Sequence, residues 1–360
     1  DYRSSRGLGD VYKRQMFLNH LNKFIYLLIL FSCASVKVPP GGPIDSIPPK
    51  LESTNPKILT GLKNNQKITL SFNEFIKEES IKNAIEIFPS IDDKIDYEYQ
   101  GKDIIITLPS NLNEDKTYIL SLNSNFSDEQ NVKLKSNIII PISLSDIMDS
   151  GIINGNIFGS FKQPSILLWK GELDNDKMIN QKPDYVLSSS NNFNFNYMPF
   201  GVYTILAVDL YNKRLPLNEN KVSFYNQRFI EVKNENDLNI NFYFRETAIT
   251  DSLEVEEENL EAVATLVGNL KGNFILPLML ELKDSDNSFK TELSIDGTFR
   301  IDNIQSGSYQ LLAYQDRNNN KILDTGTFNN EKLSEKFYVY PDSLSLRSNW
   351  ELEIQNWVIN

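Results

Sequence analysis

One continuous apolar run, Phe24–Phe31 (FIYLLILF), stands apart from the remainder of the chain, where short stretches alternate between apolar and polar positions. The run has eight residues. Crossing a bilayer as a helix takes about 20, so this length fits the apolar region of a secretory signal instead. From Lys50 onward the alternation has a period of two and is rich in β-branched and aromatic residues, which predicts strands. Lys67–Glu74, Ala84–Phe88, Asp103–Leu108, Thr117–Leu122 and Asn137–Leu144 read as strands separated by Asn, Gly, Asp and Pro clusters, with one helical turn within Ile76–Asn83. Strands at this spacing without a long helix predict a β-sandwich over residues 50–145.

The following two units repeat one another. Gly155-Asn156-Ile157-Phe158-Gly159 matches Gly268-Asn269-Leu270-Lys271-Gly272. Further on, Gly201-x-Tyr203 with Ala207 matches Gly307-x-Tyr309 with Ala313. The offset is 113 residues at the first motif and 106 at the second, so strands match while loops differ. A repeat of this length is a duplicated domain, expected at 150–245 and 262–360. The Glu-rich stretch 246–261 between the copies reads as an acidic linker. The fold class expected is all-β, as tandem β-sandwiches.

The N-terminal segment carries an address. Asp1–Gln15 is polar and lacks apolar periodicity, and it reads as a non-native leader. Residues 16–32 have the order of a signal peptide, with Lys23 before the apolar run and Ser32 after it. Leu30-x-Ser32-Cys33 resembles the lipobox of bacterial lipoproteins, with Phe31 bulky for its position. That resemblance implies cleavage before Cys33 and acylation of its sulfur, hence a membrane partner reached through several acyl chains, which anchor more firmly than one. Residues 33–49, with Pro39, Pro40, Pro43, Pro48 and Pro49, cannot continue a helix or central strand and read as a tether.

Composition narrows the chemistry. His20 is the only histidine and Cys33 the only cysteine. Everything after Cys33 therefore lacks the residues for Ser-His-Asp or Cys-His catalysis, His/Cys zinc sites, haem or iron–sulfur ligation and internal disulfides. A net charge of −12 argues against a nucleic-acid partner. The expectation is a protein that is not an enzyme.

Read together, the lipobox, Pro40-Gly41-Gly42-Pro43-x-Asp45-x-x-Pro48-Pro49 and Leu70-x-Phe72-Asn73-Glu74 resemble the Ig-like domain lipoproteins of Bacteroidota. The resemblance implies a first domain of the SbsA-type bacterial Ig-like fold. It implies later modules that are prealbumin-like, or carboxypeptidase-regulatory-like, sandwiches. Arg317–Gly326 and Leu346–Trp357 match the end of that family. The resemblance bears on architecture and address more than on activity; the role expected of such an anchored series of sandwiches is structural or adhesive, towards an envelope protein or glycan. Ala34-Ser35-Val36-Lys37 lacks the acidic cluster that resembles a surface-export signal, which points to an outer-membrane anchor facing the periplasm. A glycan-binding accessory for polysaccharide capture is the alternative, and it requires exposed, coplanar aromatics among Phe195, Tyr197 and Trp169. A carboxylate-based hydrolase would require two carboxylates across a cleft, with Glu74, Glu78 and Glu79 as the nearest candidates.

One loop has ligand spacing. Asp316, Asn318, Asn320 and Asp324 place side-chain oxygens at positions 1, 3, 5 and 9, with the Ile322 carbonyl at position 7. The loop resembles the calcium loops of EF-hand-like and SdrD-B-type repeats. It departs from them at position 6, Lys321 in place of Gly, and at position 12, Thr327 in place of Glu, with Glu331 available downstream. The same residues also suit a hairpin turn whose Asp and Asn side chains bond their own backbone. The counterpart in the first copy, Asp209–Arg214, has lost the spacing. Alternation at Phe193, Phe195 and Tyr197 predicts the core face of a strand, and Trp350 and Trp357 read as core or sheet-closing residues.

Overall fold

The computed structural model describes residues 42 and 44–359, apart from 92–93, 190, 212–214, 235–237 and 247–262. The leader, the signal peptide, Cys33, the tether up to residue 41 and the linker from 247 lie outside the described residues. Among those described, no helix is long and apolar enough to cross a membrane.

Alternation builds the first sandwich. Lys67–Phe72 buries Ile68, Leu70 and Phe72 and turns Lys67 outward, the period-two pattern of a half-buried strand. It lies between Leu51–Asn55 and Asp103–Thr107, and Asp96–Gln100 closes the antiparallel sheet. Ile85–Phe88, Thr117–Leu122 and Ile138–Ser143 form the opposing sheet. Ile104 and Ile106 of the first sheet meet Leu120, Leu122, Ile140 and Ile142 of the second. Phe72 and Phe126 pack at 5.0 Å between ring centroids. The helical turn runs over Glu78–Ala84, with acidic Glu78 and Glu79 in its first turn, where the helix dipole favours them. Asp96–Gln100 was not expected from the sequence, because Tyr97 and Tyr99 alternate with Asp and Glu and bury only partly.

The second and third sandwiches share one topology. In the second, Pro164–Lys170 and Gly201–Asp209 are central to one sheet, flanked by Tyr185–Ser188 and Lys221–Phe224. In the third, Leu278–Lys283 and Gly307–Gln315 take those places, flanked by Ser288–Glu292 and Phe337–Val339. The other sheet begins with Gly151–Gly159 in one copy and Ala264–Gly272 in the other. Each of these pairs antiparallel with one neighbour and parallel with the last strand of its module.

That parallel pairing explains the duplicated Gly-x-x-x-Gly. A Cβ at Gly159 would lie 2.0 Å from the Phe244 carbonyl oxygen, and one at Gly272 would lie 1.9 Å from that of Ile359. The final strand presses its backbone onto the first, and only glycine admits it.

The duplicated Gly-x-Tyr has a second cause. The Tyr203 hydroxyl donates to the Pro199 carbonyl at 2.8 Å, and the Tyr309 hydroxyl donates to the Gln305 carbonyl at 2.9 Å. Burial raises the pKa of both phenols, so they remain protonated donors. Tyr203→Phe and Tyr309→Phe should each lower stability by about 1 kcal/mol. The losses should add in the double variant, as the sites lie in separate modules. Urea denaturation measures this, and a loss under about 0.3 kcal/mol for either would show that the hydroxyl bond contributes nothing net.

Two sequence expectations need correction. Tyr197 does not face the core and is 38% exposed. The pairing of its strand with Gly151–Gly159 shifts between Phe195 and Met198, and Tyr197 has φ 61°. This bulge puts Met198 inside in its place. Trp350 is 65% exposed, because it sits just before the strand Glu351–Ile359 and stacks near Arg347. Trp357 is buried as expected, edge-on to Tyr340 at 5.5 Å. A short helix, Asn175–Asn180, was unforeseen; Asp174 caps it by accepting the Lys177 amide at 2.8 Å.

Candidate functional sites

The loop 316–324 leaves the strand Gly307–Gln315 and turns on its own side chains. Asp316 is fully buried, accepting the Asn320 amide on Oδ1 at 3.0 Å and the Lys321 amide on Oδ2 at 2.8 Å. Asn318 Oδ1 accepts the Asn320 amide at 3.2 Å, and Asn320 Oδ1 accepts the Ile322 amide at 2.8 Å. Asp324 Oδ2 receives Asn318 Nδ2 at 2.8 Å and the Lys332 ammonium at 2.5 Å. Lys321, where a glycine was expected, adopts φ 57°. Asp316, Asn318, Asn320, Ile322 and Asp324 are thus brought into one loop. Their oxygens bond mainly to its backbone, and Lys332 supplies a positive charge. A hard cation fits this donor set only with Lys332 displaced from Asp324.

Glu331 does not reach the loop; it pairs with Arg228 of the second sandwich at 3.0 Å. Glu335 takes the place foreseen for Glu331. Its carboxylate accepts the Arg317 amide at 2.7 Å and the Asp324 amide at 3.1 Å. Burial raises its pKa, against those two bonds. The sequence offered no spacing signal for Glu335, which arrives across the hairpin Thr325–Thr327/Lys332–Ser334.

The same hairpin clasps the second sandwich. The Phe328 ring meets Phe224 edge-on at 5.0 Å, and Asn175 Nδ2 donates to the Phe328 carbonyl at 2.9 Å. Beneath it, Tyr243 of the second sandwich joins Met279, Leu312, Tyr314, Leu323 and Phe337 of the third in one apolar cluster. The first sandwich is joined to the second in like manner. Phe88 and Ile119 belong to the cluster of Tyr185 and Tyr203, and Ser90 donates its amide to the Asp184 carbonyl at 3.0 Å.

Between the second and third sandwiches opens a cleft of about 510 Å³. Tyr225, Asn226, Gln227, Asn239 and Asn241 line it from one side, and residues 334–338 from the other.

A further polar feature lies in the first sandwich. The carboxylates of Glu74 and Asp128 approach within 4.8 Å of one another. Asp128 is fully buried; Oδ1 accepts the Val132 amide at 2.8 Å, and Oδ2 has no hydrogen-bond partner. Nearby ammonium groups are spent elsewhere: Lys77 on Asn131 at 2.5 Å and Lys102 on the Asn73 carbonyl at 2.8 Å. A buried carboxylate oxygen left without a hydrogen-bond partner, as Asp128 Oδ2 is, is costly, and together with Glu74 it can coordinate a metal ion. Glu78 and Glu79, weighed with Glu74 from the sequence, instead sit in the helix Glu78–Ala84.

The aromatics required for a glycan platform are not brought together. Phe195 and Trp169 are buried, the latter with its indole N–H on the Gln181 carbonyl at 3.1 Å, while Tyr197 is exposed. Among the described residues no nucleophile, base and oxyanion donors converge, and the architecture is a series of β-sandwiches.

No curated protein sequence matches the chain. Among solved structures, the Bacillus anthracis TIE protein is similar at 13% identity, over 89% of this chain and 60% of its own, with a TM-score of 0.16. This chain thus spans less than two thirds of that protein. GBS52, the minor pilin of Streptococcus agalactiae, is similar at 11% identity over 58% of this chain and 96% of its own, with a TM-score of 0.16. Native alpha-2-macroglobulin from Escherichia coli, domains MG0-NIE-MG1, is similar at 12% identity over 74% and 94%, with a TM-score of 0.22. The family described as bacterial Ig-like domain matches residues 45–138, so the chain contains an Ig-like β-sandwich domain.

Proposed function

We propose that this chain is a non-enzymatic cell-envelope lipoprotein, tethered through acyl chains on Cys33 and facing the periplasm from the outer membrane. Its job is structural or adhesive: a strut of β-sandwiches that presents a surface to an envelope protein or glycan. The observation that carries the reading is the pair of apolar junctions, since modules joined by buried side chains transmit position along their length as freely hinged ones do not. The lipobox-like Leu30-x-Ser32-Cys33 supports the anchor. Acyl labelling of the native protein with and without globomycin tests it. Label on Cys33 and accumulation of the uncleaved form under globomycin are expected; an unlabelled wild type beside a labelled control lipoprotein overturns the anchor.

Polysaccharide capture is a second reading. The amide-rich cleft between the second and third sandwiches favours it, in place of the aromatic platform.

A hard cation, with calcium the first to try, would stiffen the strut at one of two places. Glu74 with Asp128 is the stronger, because a buried carboxylate oxygen there lacks a partner; the loop Asp316–Asp324 is the other. Millimolar calcium should raise the melting temperature of the wild type by several degrees, and chelator should reverse the rise. Asp128→Asn should abolish the shift and Asp324→Asn should keep it. The opposite result would place the ion in the loop, and no shift in the wild type would exclude calcium from both.

A further inference from the structure

We infer that the cleft between the second and third sandwiches is a binding site for a neutral, hydroxyl-rich ligand, a short segment of an uncharged oligosaccharide. The inference deepens the polysaccharide-capture reading and rests on it.

Size comes first. At about 510 Å³ the cleft falls within the range of small-ligand sites, roughly 300–1,000 Å³. Among the described residues, no loop or side chain fills it.

The lining chemistry comes next. Asn226, Gln227, Asn239 and Asn241 bring four amide side chains to one opening. An amide both donates and accepts, which matches the dual character of a sugar hydroxyl. Asn226 Oδ1 is buried and has no hydrogen-bond partner. Such an acceptor is costly to leave unmade, and a ligand hydroxyl donating to it would remove that cost. Asn241 commits its oxygen to Asn156, through the backbone amide at 3.1 Å and Nδ2 at 3.3 Å. With that oxygen taken, its amide nitrogen is the group that Asn241 can offer a ligand as a donor.

Charge selects against ions. Glu335 is the acidic residue of the lining, and both its oxygens accept backbone amides of the loop 316–324. Lys336 is the basic residue, and its ammonium lies 5.0 Å from the centre of the Tyr338 ring. With one charge of each sign and both engaged, the described lining offers no spare charge to an anionic or cationic ligand. Tyr225 and Tyr338, each half-buried, add aromatic surface to the lining from opposite modules, against which the C–H groups of a pyranose can pack.

Rigidity completes the site. The two walls belong to different modules, and the Tyr243–Phe337 contact at 5.6 Å and the Phe328 clasp hold them in place. A cleft assembled in advance does not spend binding energy on its own ordering.

The test is titration calorimetry of the full-length protein in detergent against cellohexaose, xylohexaose, mannohexaose, maltohexaose and chitohexaose, with hexagalacturonate as the anionic comparison. Binding of at least one neutral hexamer is expected, and no binding of hexagalacturonate. Asn226→Ala and Gln227→Ala should each weaken it at least tenfold with the melting temperature unchanged. Gln227 is exposed, so its variant tests the site even where Asn226→Ala disturbs the fold. Tyr197→Ala, on an exposed aromatic away from the cleft lining, should bind like wild type. A neutral hexamer that binds equally to Gln227→Ala and wild type would overturn the cleft and leave polysaccharide capture standing. Preference for hexagalacturonate would overturn the neutral-ligand assignment. Silence across the whole panel would overturn both the cleft and the capture reading, without touching the lipid anchor.

Discussion

Gly155→Ala should lower stability by at least about 3 kcal/mol, at the severe end of overpacking changes. The added Cβ would stand 1.6 Å from the Ile240 carbonyl oxygen and 2.6 Å from its carbon. Those are backbone atoms of the segment that returns beside the first strand, held there by the Ile240 amide on the Asn154 carbonyl at 2.8 Å. A flexible side chain could swing away; a bonded backbone cannot, so the final segment must detach or the first strand must shift. Gly171→Ala is the matched comparison. Gly171 has φ +99° yet nothing within 4 Å of its would-be Cβ, so only backbone strain of about 1–2 kcal/mol is expected. Urea midpoints and slopes of the two variants decide the matter. If they lose equal stability, the close parallel approach of the last strand does not hold in solution.

Phe337→Ala should be the most disruptive change to the junction between the second and third sandwiches. Its ring packs edge-on against Phe158 at 6.1 Å and Tyr243 at 5.6 Å, both from the second sandwich. Truncating a buried phenylalanine costs about 3–5 kcal/mol, and here most of the loss falls on contacts between modules. The variant should therefore melt in separated transitions where the wild type melts with its modules coupled. Small-angle scattering should show a longer maximum dimension. Trp350→Ala, at a ring that is 65% exposed, should change stability by less than about 0.5 kcal/mol. A single unaltered transition for Phe337→Ala would mean that the Phe337 contacts do not couple the two modules, and the strut reading would lose its main support.

Much of the architecture was legible because period-two alternation reports directly which face of a strand is buried. Lys67–Phe72 and Asp103–Thr107 could be placed from residues alone. The duplicated motifs were legible as a repeat, but their cause was not. Gly159 and Gly272 are spaced by chain position, while the carbonyls of Phe244 and Ile359 that forbid a side chain there come from the far end of each module. Tyr197 failed for a related reason: alternation assumes an unbroken register, and one bulge reverses every later side chain. Of the candidate sites, the loop residues Asp316 to Asp324 were visible because their spacing is local. Glu335, Asp128 and the cleft amides were not, since each acquires its role from a partner distant in sequence or in another module.

From sequence alone came the properties carried by local pattern and by composition. These are the β-strand texture, the duplication, the signal-like N-terminus with its lone cysteine, and the lack of histidine and cysteine chemistry beyond it. Tertiary structure decided which loop oxygens bond their own backbone, which carboxylate is left with an unpaired buried oxygen, and where two sandwiches leave a space. Those depend on distances between residues far apart along the chain, and such distances exist only once the sheets have packed.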